Sequence, residues 1–273
     1  AVSSKTVWDA EALGWAPRLK MIALTSTGYN VVDLDAARAR GIVVSNVPAY
    51  STPDVAQMTF ALLLELCLHV GEHSRLVMDG DWTRAKDFSF WSTPLVELAG
   101  KTMGIVGMGS IGQAVDRIAR AFDMPVVFEN RSPKPQLEGD GVRQAGLDEL
   151  LATADVVSLH VPATPETEHM MDAAALAKMK DGSYLLNTAR GSLVDEQAVV
   201  DALRSGKLAG FGADVVSVEP MRPDNPLLQA KGANIVVTPH IAWATHEARE
   251  RLLATVAANV GAFVDGRPQN VVD

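Results

Sequence analysis

Short apolar runs rich in valine and isoleucine alternate along the chain with longer amphipathic stretches. The runs are Leu19 to Leu24, Ile42 to Ser45, Thr102 to Val106, Val126 to Glu129, Val156 to His160, Tyr184 to Asn187, Gly210 to Val215 and Ile235 to Thr238. Strand-length runs separated by helix-length stretches are the pattern of βαβ units, so the chain is expected to build parallel sheets in an α/β fold. Helix starts are marked as well. Ser51-Thr52-Pro53-Asp54 supplies a capping hydroxyl followed by proline and an acid in the first turn, and Asp195-Glu196 opens a later helix.

The helix expected from Pro53 to about His69 is apolar on nearly all sides. It must therefore be covered on most sides, either by running through a core or by a second subunit. The segment after it, Asp79-Gly80-Asp81-Trp82 to Trp91, is aromatic and irregular and leads to Gly100, a natural joint between lobes. No internal repeat or low-complexity tract interrupts the pattern.

At 273 residues the chain is long for one core and reads as two domains. Its 48% hydrophobic and 21% charged residues are those of an ordinary globular protein. The net charge of −9 argues against nucleic acid or an anionic membrane as partner. Cys67 is the only cysteine, which rules out an internal disulfide; it sits in a leucine-rich run where burial is expected, and a reducing cytoplasm fits it best. No run approaches the roughly 18 apolar residues of a membrane span, and the N-terminus lacks a signal-peptide layout. The sequence opens at Ala1 and runs quickly into Ser3-Ser4-Lys5, from which a missing N-terminal piece is expected.

The densest chemical signal follows Lys101 to Val106, where Gly107-x-Gly109-x-x-Gly112 leads into the amphipathic run Gln113 to Phe122. In a dinucleotide site the first glycine makes the tight turn. The second lets backbone approach the pyrophosphate, and the third lets helix pack on strand. The backbone at Ser110 and Ile111 then opens the helix whose N–H groups face the phosphates. The next strand should end at the adenosine ribose, about 20 residues past the glycines, where an acid would bind the 2′-hydroxyl. Here the strand ends Glu129-Asn130-Arg131-Ser132. A neutral Asn130 at the acid's place, with Arg131 and Ser132 able to hold a 2′-phosphate, favours NADP(H). A register in which Glu129 binds the ribose and Arg131 is solvated keeps NAD(H) open.

Ligands of open α/β sheets bind beyond the carboxyl ends of the strands. Three ionisable residues fall there: Arg190, Glu219 and His240. An arginine can fork onto a carboxylate and a carbonyl oxygen, and a histidine can donate a proton near neutral pH. A neighbouring glutamate keeps that histidine charged and oriented. Each has a bland alternative: Arg190 pairing with Asp195, Glu219 solvating a proline-rich loop, His240 buried in a core. Together they are the set that reduction of a ketone requires.

These residues carry a family resemblance. Gly107-Met-Gly-Ser-Ile-Gly112, Leu186 to Asp195, Asp214 to Pro220 and Thr238 to Thr245 resemble the signatures of the D-isomer-specific 2-hydroxyacid dehydrogenases over nearly the whole chain. Ser26 to Asp33, Asn46 to Ser51 and Phe88 to Trp91 are most similar to its glycerate dehydrogenase, or hydroxypyruvate and glyoxylate reductase, branch. The resemblance implies a Rossmann-type doubly wound dinucleotide-binding domain, 52–242. It also implies a flavodoxin-like α/β substrate domain, 1–51, completed by 243–273 and closed by a helix over roughly His246 to Asp265. It implies catalysis by Arg190, Glu219 and His240, and substrate binding by the N–H groups of Thr27 and Gly28 with Tyr50 nearby. Asp214 matches the residue that binds the nicotinamide carboxamide, and His160, Pro162, Thr167 and Thr188 match positions lining the cofactor. A homodimer is implied, with Trp91 reaching the partner's site. Two departures stand out: Asn130 replaces the family's usual Asp, and the family carries a further α/β segment before the position of Lys5, so the substrate domain reads as N-terminally incomplete.

Two rival readings come from other classes. His69-Val-Gly-Glu72-His73 matches the H-x-x-E-H zinc motif of inverted metalloproteases, although Gly71 interrupts it and no third ligand is evident. Alternatively, a non-enzymatic nucleotide-sensing module of the corepressor kind would keep the three glycines without needing Arg190, Glu219 and His240 together. His169 and His246 have no partner at ligand spacing and are expected to face solvent.

Overall fold

The computed structural model describes residues 1–3 and 6–272. The expectation attached to Ser4 and Lys5 lies outside them. The chain divides into two compact units, Ala1–Thr52 with Trp243–Asp273, and Pro53–Ala242.

In the first unit, β1 (Val2–Ser3), β2 (Met21–Leu24) and β3 (Val43–Ser45) form a parallel sheet in that order. Strand β2 is buried along its length, and its side chains alternate between two cores as the pleat requires. Ile22 and Leu24 pack with Leu13 of α1 (Ala10–Gly14), Ala37 of α2 (Leu34–Ala39), and Val44. Met21 and Ala23 face Ala248, Leu252 and Val256 of the C-terminal helix, His246–Val264. All three helices start on a side-chain cap: Asp9 accepts from Ala12 N, Asp33 from Ala36 N, and Thr245 from Ala248 N.

The second unit opens with α3 (Thr52–Leu68), whose first residue still counts with the first unit, followed by α4 (Val70–Met78) and α5 (Asp81–Arg84). There follow β4 (Met103–Val106), α6 (Ser110–Ala121), β5 (Val126–Glu129), β6 (Val142–Gln144) and α7 (Leu147–Thr153). The chain continues through β7 (Val156–Leu159), α8 (Ala173–Lys178), β8 (Ser183–Asn187), α9 (Glu196–Arg204), β9 (Leu208–Ala213) and β10 (Ile235–Val237). Its seven strands are all parallel in the order β10-β9-β8-β7-β4-β5-β6. This is the Rossmann order, and the direction of winding reverses between β4 and β7, where such sheets open a crevice for ligand. Leucine and valine from α7, α8 and α9 cover one face. Helices α3 and α6 cover the other.

The fate of the all-round apolar helix is now visible. Val55, Ala56, Phe60, Leu62, Leu63, Leu66 and Cys67 of α3 are buried, while Gln57, Ala61 and Leu68 are exposed, so the helix runs along the sheet with one open side. Gly212 of β9 makes room for it, since a Cβ there would lie 3.1 Å from the Cβ of Leu62. Two strands, β1 and β6, carry too little apolar pattern to be read from sequence: β1 has two residues, and β6 is an edge strand with one buried side chain, Val142. Among the described residues no single helix is long and apolar enough to cross a membrane.

Candidate active site

The glycine-rich turn is built as its spacing predicts. Gly107 takes φ +98°, and a Cβ there would sit 2.7 Å from the carbonyl oxygen of His160. A Cβ on Gly112 would meet the carbonyl oxygen of Gly107 at 2.3 Å, so α6 can pack this closely on the end of β4 only without a side chain. Gly109 instead has no atom within 4 Å of its absent Cβ and is exposed. It caps α6 without any side-chain hydrogen bond, leaving the first-turn N–H groups to an anion. A cradle closed behind Gly107 and Gly112 and open in front of Gly109 fits a pyrophosphate.

The loop after β5 is braced from β6. Asn130 Nδ2 donates to the Ser132 carbonyl at 3.0 Å, and Gln144 Nε2 donates to the Asn130 carbonyl at 3.2 Å. Gln144 Oε1 accepts from Lys134 N at 2.8 Å, and Lys134 Nζ reaches back 3.1 Å to the Met108 carbonyl inside the glycine turn. Arg131 is exposed, and its charge helps, after a Thr164 hydrogen bond, to hold the Glu166 carboxyl below its usual range. Glu129 is half-buried, and burial raises its carboxyl.

At the end of β7, His160 Nε2 lies 2.8 Å from Ser158 Oγ, while its buried Nδ1 has no partner. Burial pulls this imidazole down to about 4, so it is neutral near pH 7 with one polar atom left for a ligand. The segment beyond closes on itself: Thr167 Oγ1 donates to the Pro162 carbonyl and accepts from Thr164 N, each at 2.8 Å. Thr188 Oγ1 is buried 3.1 Å from Thr59 Oγ1 of α3.

Three strand ends then supply the ionisable set. Asn187 shapes the turn after β8, donating to the Arg190 carbonyl at 2.8 Å and accepting from Ala189 N at 3.1 Å. Arg190 Nη1 donates to the Ala189 carbonyl at 2.7 Å, and the guanidinium has no ion pair among the described residues. Asp195, its alternative partner, is occupied capping α9 through Gln197 N and Ala198 N. Glu219 Oε2 and His240 Nδ1 meet at 2.7 Å, and Glu219 Oε1 accepts from Val216 N at 3.2 Å. With Nδ1 held, His240 has Nε2 free to exchange a proton. His240 sits at φ +54°, a left-handed backbone that a non-glycine residue keeps only when its surroundings enforce it.

Asp214 is the enforcing group, a role its sequence position did not disclose. Its fully buried carboxylate accepts from Thr238 Oγ1 at 2.5 Å, Ile241 N at 2.9 Å and Ala242 N at 2.7 Å, gripping the chain on both sides of His240. In the first unit the N–H groups of Thr27 and Gly28 carry no internal hydrogen bond among the described residues, while Thr27 Oγ1 is tied to the Val47 carbonyl at 2.7 Å. Tyr50 is buried in the cluster beneath the C-terminal helix.

The zinc motif does not assemble. His69 takes φ +49° and ends α3, so His69 and His73 do not share a continuous helix. His73 is occupied at both ring nitrogens, Nδ1 by the His69 carbonyl at 2.8 Å and Nε2 by Ser92 N at 3.2 Å, and Glu72 accepts from Ser92 Oγ at 2.9 Å. No group of three or more histidine, cysteine or acidic side chains among the described residues could hold a metal ion. His169 and His246 are both exposed.

A Rossmann sheet, a phosphate cradle at its switch and an imidazole–carboxylate pair at its carboxyl edge define a nicotinamide-dependent dehydrogenase. Residues 60–242 match the model of the NAD binding domain of the D-isomer specific 2-hydroxyacid dehydrogenases, and the chain belongs to this family. It is 47% identical to a hydroxypyruvate reductase of Blautia hydrogenotrophica over 99% of this chain and 84% of that protein. A glycerate dehydrogenase of Methylorubrum extorquens is 40% identical over 100% and 85% respectively. The crystal structure of a Thermus thermophilus protein superimposes with a TM-score of 0.89 at 44% identity, covering 100% of this chain and 85% of that one. The chain is therefore an oxidoreductase of 2-keto and 2-hydroxy acids that uses a nicotinamide cofactor. The nucleotide-sensing and metalloprotease readings have no support among these relatives.

Proposed function

We propose that the protein reduces hydroxypyruvate and glyoxylate, and oxidises D-glycerate in the reverse direction, with NADPH favoured over NADH. The observation that carries the mechanism is the 2.7 Å contact between Glu219 Oε2 and His240 Nδ1. The bound nicotinamide supplies the hydride. His240 Nε2 gives its proton to the substrate oxygen as that oxygen gains charge, and Glu219 stabilises the imidazolium and fixes its orientation. Arg190, with no ion pair among the described residues, holds the substrate carboxylate and polarises the carbonyl. Thr27 and Gly28 offer N–H groups that would bind a substrate carboxylate, with Tyr50 in the same unit. The unit 1–52 with 243–273 thus takes the substrate-binding role.

Support for NADPH comes from the loop after β5. Asn130 removes the negative charge that would repel a 2′-phosphate, and the exposed Arg131 and Ser132 provide donors. Pyrophosphate would rest on Gly107, Gly109, Ser110, Ile111 and Gly112, and the rest of the cofactor along His160, Pro162, Thr167, Thr188, Asp214 and His240. A homodimer is supported by the exposed Val70, Met78, Trp82, Phe88 and Trp91 in one stretch of chain, with Trp91 reaching the partner's site. A single, buried cysteine, Cys67, is compatible with a reducing cytoplasm.

Oxidation of NADPH and of NADH by the purified protein, with hydroxypyruvate, glyoxylate, pyruvate and phenylpyruvate in turn, tests substrate and coenzyme together. The His240→Ala variant is expected to lose about 10²-fold or more in kcat, the usual worth of a positioned acid. Unchanged turnover in that variant removes the assignment.

A further inference from the structure

Glu196, the first residue of α9, is buried, and no lysine, arginine or histidine pairs with it among the described residues. Its carboxylate is satisfied by three donors from the chain beyond β9: Ser217 N to Oε1 at 2.7 Å, Ser217 Oγ to Oε2 at 2.7 Å, and Asn225 Nδ2 to Oε2 at 2.9 Å. A buried carboxyl group is costly to leave without hydrogen bonds, so the three donors that satisfy it are held firmly in place. What it fixes is the backbone at Val216 and Ser217.

The same backbone is pressed from the other side. A Cβ on Gly191 would lie 1.9 Å from the carbonyl carbon of Val216 and 2.4 Å from Ser217 N, so the residue after Arg190 is in direct contact with it. Val216 N in turn donates to Glu219 Oε1, and Glu219 Oε2 holds His240. We propose that Glu196 is a positioning residue for catalysis: by clamping Ser217 against the Arg190 turn, it sets Glu219 in reach of His240. The inference rests on the reading of His240 and Glu219 as the proton-transfer pair. The other charges near this path are already committed, Asp214 to the His240 flanks, Asp195 to the α9 cap, and Arg222 to Asp224 in an exposed pair at 3.1 Å.

Glu196→Gln keeps the side chain's size but turns one acceptor into a donor that faces another donor. The full chain carrying Glu196→Gln, Glu219→Gln or both is assayed for kcat, for the KM of NADPH and of the best 2-keto acid, and for the pH–rate profile, with Tm as a control. Glu196→Gln is expected to lower kcat by about tenfold, leave the NADPH KM within about twofold, and move the alkaline limb of the profile to lower pH. On a Glu219→Gln background it should add less than about twofold, because the two act in series. A Tm loss with unchanged kcat and profile overturns the proposal, as does a full tenfold effect added to Glu219→Gln. Normal turnover by Glu219→Gln overturns the pair itself and the positioning role with it, whereas a crippled Glu219→Gln beside a normal Glu196→Gln overturns only the latter. If Glu196→Gln does not fold, Ser217→Ala removes one of the three bonds and carries the same test, with about a threefold kcat loss that again vanishes on the Glu219→Gln background.

Discussion

Acidification should reveal His160 as a store of conformational stability. Burial at the end of β7 holds its imidazole down at about 4, against 6.5 for an unperturbed histidine. A depressed value in the folded state means that, between those two pH values, the unfolded chain takes up a proton that the folded chain refuses. The contribution is therefore complete above pH 6.5 and is lost progressively as the pH falls toward 4. At about 1.4 kcal/mol per pH unit the whole span is worth about 3 kcal/mol, a large share of the 5–15 kcal/mol typical of a folded domain. Asparagine at this position keeps a hydrogen-bonding group toward Ser158 and does not titrate. Urea unfolding of wild type and His160→Asn at pH 7 and at pH 4.5, followed by tryptophan fluorescence, isolates the effect, because every other titrating group is common to both. Wild type should lose about 2–3 kcal/mol more than the variant between the two pH values. Parallel losses, within about 0.5 kcal/mol, would refute the account of His160 as a buried neutral imidazole.

Two further outcomes follow from the packing of the second unit. Gly112→Ala would force a methyl group against the Gly107 carbonyl, which has no flexible end to yield; NADPH binding, measured by fluorescence titration, should weaken by at least about tenfold, and stability should drop by about 1–3 kcal/mol. Burial pushes the Cys67 thiol up to about 11, so a thiol-reactive disulfide reagent should leave the folded protein unmodified at pH 8 and react with one equivalent after urea unfolding. Rapid labelling of the folded protein would show that α3 is not packed on the sheet as described.

Local signals made much of the fold legible. Each of the eight apolar runs became a strand within about two residues, because a strand buried in a parallel sheet must be apolar over its own short length. The three glycines could be read as a cradle because their spacing is a steric requirement, and the 2.3 Å approach of a Gly112 Cβ to the Gly107 carbonyl displays it. By contrast, β6 was invisible: an edge strand with one buried residue needs only backbone bonds to β5, and these leave no mark on side-chain choice. The break between α3 and α4 left no signal either, since His69 at φ +49° is a backbone event that its residue type does not announce.

For the site, the strand-end rule sufficed to nominate Arg190, Glu219 and His240, and the meeting of the last two required only that neighbouring strands finish at one edge. Which polar groups support them was not available from the chain alone. Asp214 carried a cofactor-facing expectation and proves to grip both flanks of His240, and Glu196 read as an acid opening a helix and proves to be a buried anchor for Ser217. The sequence by itself determined the elements, the glycine-rich turn and which ionisable residues stand at the strand ends, because periodicity and spacing are properties of adjacent residues. Only the tertiary structure decided who holds whom, because a buried carboxylate takes its donors from whatever backbone the fold delivers, here 21 to 28 residues further along the chain.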